Sequence, residues 1–502
     1  AGNLACTESM TALKDLMSNI GSPNLDCRQD GAKLDATSRA NYLFNTTIAG
    51  LEQADLILLI GANPRYEAPL VNARIRKRYL QGGLKVMNIG NPHDLTYPAQ
   101  EMGQDPSILL EMAKGSHAVL DALNGAKHPV IIIGTSALAR PDGIDILAAV
   151  RHVASTTPVI QPEWNGFNIL HHAAARVGGL DIGFLPQEGG RDIEGILDGT
   201  KDGDTEVLYL LGVDEIDPSL FGKAFVIYQG HHGDLSAERA DVVLPGAAYT
   251  EKDATYVNLE GRPQRALRAV FPPNEAKEDW KIIRALSDVL GQTLPYNSLG
   301  EVRARMEEIA PQLAAIDEVT AAEWQDVRAD LPAVRIGKEP FEEMITNFYM
   351  TDPISQAEYY SMRAIFEPLH VRLDPWQGEA DLEKNGLPRV FDLHLDKPTF
   401  RHVRGDEKNE DKSKPLSAGV PQVLEFAAFQ PAAVKLPPAA AKPVLLPFVL
   451  EDHLRAAERE IASATARQKV LVEHAGQLQA LLATIVLDDA VLACAADITA
   501  LA

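Results

Sequence analysis

The chain has 502 residues, enough at about one to two hundred residues per domain for roughly two to four domains. Apolar residues make up 46% and charged residues 23%, ordinary globular values that exclude a wholly disordered or fibrous chain. Against 47 Lys plus Arg stand 70 Asp plus Glu, and the formal charge of -23 opposes broad attraction to nucleic-acid phosphates or anionic lipid. No nucleic-acid partner is expected. The three cysteines, Cys6, Cys27 and Cys494, are odd in number and far apart, which suits a reducing compartment and cannot furnish the four close thiolates of an iron–sulfur cluster. AGNLACTESM at the start has no basic or apolar leader segment and reads like the middle of a protein. The longest apolar run, LLATIVLDDAVLACAA, is cut by Asp488 and Asp489, so a soluble chain with no direct membrane insertion is expected.

Taken in order, the chain opens on an amphipathic helical pattern over 10–20. It then repeats one unit, a short β-branched apolar run closed by glycine and followed by a helical pattern: ADLILLIGANP from Ala54, HPVIIIGTSAL from His128 and EVLYLLGVDE from Glu206. Such runs are too apolar for strands with one wet face, so both faces must be covered, as in a parallel doubly wound sheet. GLKVMNIG from Gly83, KAFVIYQG from Lys223 and RADVVLPG from Arg239 are shorter copies, and helices over 68–80, 142–154 and 278–291 supply the cover. Two α/β lobes are expected within 1–295. GFNILHHAAARVGG reads as helix, with His171 and His172 packed or capping. A segment over 296–362, acidic and helix-favouring from Gly300, carries the last α/β feature, EEMITNFYMTDPIS from Glu342 to Ser355. Residues 363–448, with RHVRGDEKNEDKSKP and PAAVKLPPAAAKPVLLP, read as an irregular linker, and 449–502 as a small helical tail.

Two features point to a site. Gly61 ends a strand, and Asn63 and Pro64 occupy the turn after it, where backbone N–H groups can meet a phosphate, although such a turn is also needed simply to reverse the chain. The second is ADVVLPGAAYTEKDATYVNLEGR, from Ala240 to Arg262. It resembles the signature of the molybdopterin oxidoreductases, a superfamily that includes formate dehydrogenases and nitrate reductases. By that resemblance Asp241, Pro245, Glu251, Asn258, Glu260, Gly261 and Arg262 occupy positions in a strand and loop that approach the pterin cofactor. Read from their chemistry alone, Asp241 and Glu251 tie loops together and Arg262 pairs with a carboxylate.

An active member of the family needs a Cys or selenocysteine ligand to the metal and a neighbouring His. The corresponding region is SPNLDCRQDGAKL, where those positions fall near Gly31 and Ala32, and neither can do that chemistry. Cys27 matches the non-ligand Cys of the motif and reads as structural; Asp26, Arg28 and Asp30 read as a salt-bridged turn. With YLFNTTIAGLEQADLILLIGANPRYEAPLVNARIRKR and the His231 block, the chain over about 1–355 resembles the family of the large iron–sulfur (G) subunit of respiratory complex I, in its alphaproteobacterial and mitochondrial forms.

The resemblance implies a structural domain with no catalytic residue, no metal and no molybdopterin, a peripheral-arm part of NADH:quinone oxidoreductase. The family's 2Fe-2S and 4Fe-4S clusters belong to an N-terminal portion missing here. It implies other peripheral-arm subunits as partners, at the cytoplasmic face of the bacterial inner membrane or the mitochondrial matrix side. The alternative is an active molybdenum or tungsten oxidoreductase of the formate dehydrogenase type. His231 and His232, adjacent in a loop, are poorly placed to share one metal.

Overall fold

The computed structural model describes residues 1–232, 235–324, 333–346, 351–352 and 354–355, with the backbone of 372–375 and 391–394. The chain divides into two compact units, Ala1–Ile354 and Ser355–Ala502.

In the first unit the apolar runs form strands β1 (Leu56–Ile60), β2 (Lys85–Ile89), β3 (Gln100–Gly103) and β4 (Pro129–Ile133). A two-residue hairpin follows, β5 (Ile160–Gln161) with β6 (Trp164–Asn165), and then β7 (Phe167–Ile169). Five of these make a sheet in the order β3-β2-β1-β4-β7, with every neighbouring pair parallel. Side chains alternate across a strand, and here both sets are buried. Leu56, Leu58, Ile60, Ile131 and Ile133 enter one apolar cluster, while Ile57, Leu59, Val130 and Ile132 enter another. The doubly covered sheet is therefore as the composition requires. Helices Thr7–Asn19, Pro69–Leu80, Gly143–Thr156 and Asp279–Val289 lie close to their expected positions.

The second sheet is β8 (Val207–Leu211), β9 (Phe225–Gly230) and β10 (Val242–Pro245), parallel in the order β10-β9-β8. It departs from expectation on one face. Leu208, Leu210, Val226 and Tyr228 are packed, but Val207, Phe225 and Val242 on the other face are 56%, 47% and 37% exposed. β8 and β9 are as apolar as β1 and β4 but are covered on one side over their amino-terminal halves, while the edge strand β10 is open on both faces, with Val243 52% exposed. An antiparallel hairpin, β11 (Ala254–Val257) with β12 (Pro263–Ala266), completes the signature block.

His171 and His172 do not lie on a helix. The stretch before them forms β7, whose Asn168 side chain donates to Ile131 O (3.2 Å), Gly166 O (2.9 Å) and Thr46 Oγ1 (2.8 Å), and the helix starts only at Arg176. These bonds pin the backbone beside β4, and the lone polar residue concealed a three-residue strand.

In the second unit, β13 (Arg372–Pro375) pairs antiparallel with β14 (Phe391–His394). The irregular backbone expected across 363–448 gives way to a ladder there. The charged run, the Pro/Ala stretch and the tail over 449–502 lie outside the described residues.

Leu59 and Ile132 face each other in the β1–β4 register, both with no exposed surface. Leu59→Asp or Ile132→Asp buries an unpaired carboxylate at a cost of several kcal/mol against a total stability of roughly 5 to 15 kcal/mol. Loss of the cooperative thermal transition is the expected outcome, and calorimetry checks it.

Candidate functional site

In an open parallel sheet, ligands settle at the carboxyl ends of the strands where the winding direction reverses. Here that point lies between β1 and β4. Gly61 ends β1 with φ 50, a conformation that favours glycine. Across from it, a Cβ on Gly134 would lie 1.9 Å from Gly61 O. Ser136 Oγ donates to Gly61 O at 2.6 Å. Asn63 caps a four-residue helix that begins with Pro64 and ends at Glu67. Glu67 Oε1 accepts from the Asn63 backbone N–H at 2.6 Å, while Glu67 Oε2 and Asn63 Oδ1 are buried and make no hydrogen bond within the chain.

This crevice is filled from within. Phe341, 3% exposed, lies against both glycines: a Cβ on Gly61 would stand 3.0 Å from its ring and one on Gly90 3.1 Å. Polar contacts hold its segment down. Asn91 Nδ2 donates to Phe341 O (2.9 Å) and Glu343 Oε1 (3.1 Å), Arg140 Nη1 donates to Glu339 O (2.6 Å), and the Gly337 N–H reaches Asp142 Oδ2 (2.7 Å). Nothing near Gly61 in the sequence announces a residue so far along the chain.

The region matched to a metal-ligand motif is closed in another way. Cys27 is buried against Gly179, where an added Cβ would lie 2.8 Å from its own, and burial pushes its thiol up to about 11. It is protonated at neutral pH and inert. Arg28 grips Asp26 with Nε and Nη2 at 2.8 and 2.9 Å. Asp30 leaves that expected turn network and pairs instead with buried Arg176 at 2.7 Å. His172 stands 4.0 Å from Asp30 Oδ2 and 3.3 Å from Thr135 Oγ1. His171 Nε2 lies 2.6 Å from Tyr42 O, so that nitrogen must carry the proton; burial pushes the ring down to about 3 and keeps it neutral. Gly31 is left-handed at φ 73, and Ala32 is 1% exposed. No thiol stands at either position.

The signature residues lie in three places. Asp241 precedes β10 and accepts from the Val226 N–H at 2.8 Å, while Pro245 ends β10 and its carbonyl accepts from Lys277 N at 3.1 Å. Glu251 caps its own turn through the Ala248 N–H at 2.9 Å. Asn258, Glu260, Gly261 and Arg262 come together at the β11–β12 turn. Asn258 Oδ1 accepts from the backbones of Glu260 (3.1 Å) and Arg262 (2.9 Å), and Glu260 accepts from Arg262 Nε (3.1 Å) and the Ile48 N–H (2.8 Å). A Cβ on Gly261 would meet Arg39 Nη2 at 2.9 Å. Each polar group is thus used to hold one loop to the next.

Sequence reasoning missed two buried ion pairs. Lys252 contacts Asp279, whose Oδ1 accepts from Gln229 Nε2 at 3.1 Å. Glu8, with no exposed surface, accepts from Thr255 N and Oγ1 at 2.8 and 2.6 Å and from Arg303 Nε at 2.9 Å. The E-K and A-T of the signature were the available signal for Lys252 and Thr255. The imidazoles of His231 and His232 meet through Nδ1 at 2.8 Å, and burial pushes His231 down to about 4. Among the described residues, no group of three or more His, Cys, Asp or Glu side chains could hold a metal ion.

Comparison with known proteins places this geometry. The family model for molybdopterin oxidoreductase matches residues 1–289. The chain belongs to the molybdopterin oxidoreductase family. Within it, residues 316–357 match a second model, for the C-terminal part of the NADH-ubiquinone oxidoreductase G subunit, a stretch that contains Phe341. This family member is 43% identical over 365 residues to the NADH-quinone oxidoreductase G subunit of Rickettsia bellii, covering 73% of the chain and 52% of that protein. It is 42% identical over 358 residues to the mitochondrial NADH dehydrogenase (ubiquinone) iron-sulfur protein 1 of Solanum tuberosum, covering 71% and 47%. The chain spans about half the length of these relatives. Acetylene hydratase from Pelobacter acetylenicus superposes with a TM-score of 0.42 at 14% identity, over 69% of this chain and 61% of that one.

Breaking the Asp30–Arg176 pair tests how far this region is structural. Asp30→Ala strands a buried guanidinium and should lower stability by about 3 to 5 kcal/mol, whereas Asp198→Ala, at an exposed pair with Lys201, should cost less than about 1 kcal/mol. Urea denaturation midpoints measure the difference.

Proposed function

We propose that the chain is the molybdopterin-type part of the large iron–sulfur (G) subunit of NADH:quinone oxidoreductase, respiratory complex I, and that it serves there as a structural domain without a cofactor. One observation carries the reading: the crevice between β1 and β4 is filled by the chain's own Phe341. A group seated against Gly61 and Gly90 would have to displace that ring and break the bonds of Asn91 and Arg140 to its segment. The protonated, buried thiol of Cys27 and the absence of a thiol at Gly31 and Ala32 count against the rival, an active molybdenum or tungsten oxidoreductase. The residues present do not fit a pterin-bound metal, and no reaction step is assigned to them.

On this reading electrons pass from NADH to quinone through flavin and the 2Fe-2S and 4Fe-4S clusters of other portions of the complex, coupled to proton translocation, and this domain supports the cluster-bearing portion. Other peripheral-arm subunits are its partners. The apolar face formed by Val207, Phe225 and Val242 supports such contacts, because exposed contiguous apolar surface commonly marks an interface. The proposed place is peripheral, on the cytoplasmic or matrix side; no helix among the described residues is long and apolar enough to cross a membrane.

Elemental analysis of the purified chain tests the reading. Molybdenum, tungsten and iron well below one atom per chain are expected; near-stoichiometric molybdenum or tungsten with extractable pterin would establish the rival.

A further inference from the structure

The segment that fills the crevice meets a carboxyl with no counter-charge. Glu67 is 9% exposed, its Oε2 makes no hydrogen bond within the chain, and it shares a cavity with Asn63, Asn91, His93 and Ser136. The opposite wall is Phe341, Glu342, Glu343 and Met344. The titratable groups facing Glu67 are therefore His93 from the loop after β2 and two carboxylates from the segment, and no Lys or Arg lines the cavity. The nearby cations are committed elsewhere: Arg140 to Asp142 and the backbones of Glu339 and Pro340, and Arg65 to Asp94. Glu343 is itself held by Asn91, with His93 Nδ1 3.6 Å away.

We propose that residues 337–344 form a proton-linked strap, which lies over the crevice when Glu67 is protonated and loosens when Glu67 ionises. Closure does two things to that carboxyl. Phe341 and its neighbours shut it away from water, and the strap brings Glu343 toward it. Both favour the neutral acid. In the closed form burial pushes Glu67 up to about 7, with Glu343 adding to the rise and the backbone N–H groups of Asn63 and Thr135 opposing it.

The sign follows from linkage. A freely solvated glutamate titrates near 4.5, so between about 4.5 and about 7 the closed form binds a proton that the open form does not. Closure is strongest below that window, weakens as pH rises through it and changes no further above it. The ligand of this cavity is thus a proton, and its effect reaches the segment that excludes other ligands from the crevice.

Chymotrypsin cleavage after Phe341 in the full chain reads the opening, with each rate divided by that of a free peptide of residues 333–346 at the same pH. The normalised rate should rise from pH 5 to pH 8 by about tenfold for each unit of the Glu67 shift that the strap supplies. Glu67→Gln keeps the acceptor for the Asn63 N–H and can donate to Asn63 Oδ1, and it should make the profile flat. Glu343→Gln, at an exposed position, should leave a smaller rise than the native chain and serves if Glu67→Gln fails to fold. A flat native profile, an undiminished rise in Glu67→Gln, or an undiminished rise in Glu343→Gln would overturn the proposal.

Discussion

The parallel register of β1 on β4 is the constraint from which the rest of the structure follows. Leu56 through Ile60 lie opposite Pro129 through Ile133 one for one, and every one of these side chains is buried. Because both faces are apolar, the pair can exist only with helices above and below. Because the register brings Gly61 and Gly134 side by side, the backbones beyond the strands approach closer than any side chain permits. A narrow crevice between the two strand ends is then unavoidable. Its fate decides whether the domain binds something or merely stands.

Elsewhere in the domain, buried charged residues hold its loops and helices together. Asp30 neutralises Arg176, Asp279 neutralises Lys252, and Glu8 joins the β11–β12 hairpin to the helices Thr7–Asn19 and Leu299–Ile309. Buried pairs of this kind contribute little net stability, but losing one partner leaves a stranded charge. They therefore lock loops in one arrangement. Each member of such a pair is needed to neutralise the other.

How much of this could be read from the sequence varied with the length over which the signal extends. β1, β4, β8 and β9 were legible because unbroken β-branched runs bounded by glycine have few other uses, and Asp26 with Arg28 was legible as a two-residue local pair. β7 was not, since three residues containing Asn168 make no period. The wet face of the second sheet was also illegible, because the strand composition states that apolar surface must be covered and not by what. Arg176 finding Asp30, and Phe341 finding Gly61 and Gly90, are contacts across well over a hundred residues. Only the folded backbone brings such groups together.

The segment over 337–344 shows how a crevice at the strand ends can be closed by the chain itself. Burial of the Phe341 ring against Gly61 and Gly90 excludes water there, and a separate ligand would do so only at the cost of its translational and rotational freedom. A segment of the same chain has already lost most of that freedom. Modest contacts therefore suffice: one phenyl ring, the amide of Asn91 and the guanidinium of Arg140. Modest contacts are also reversible ones. The same economy leaves the docking of so short a segment sensitive to a single buried carboxyl beneath it.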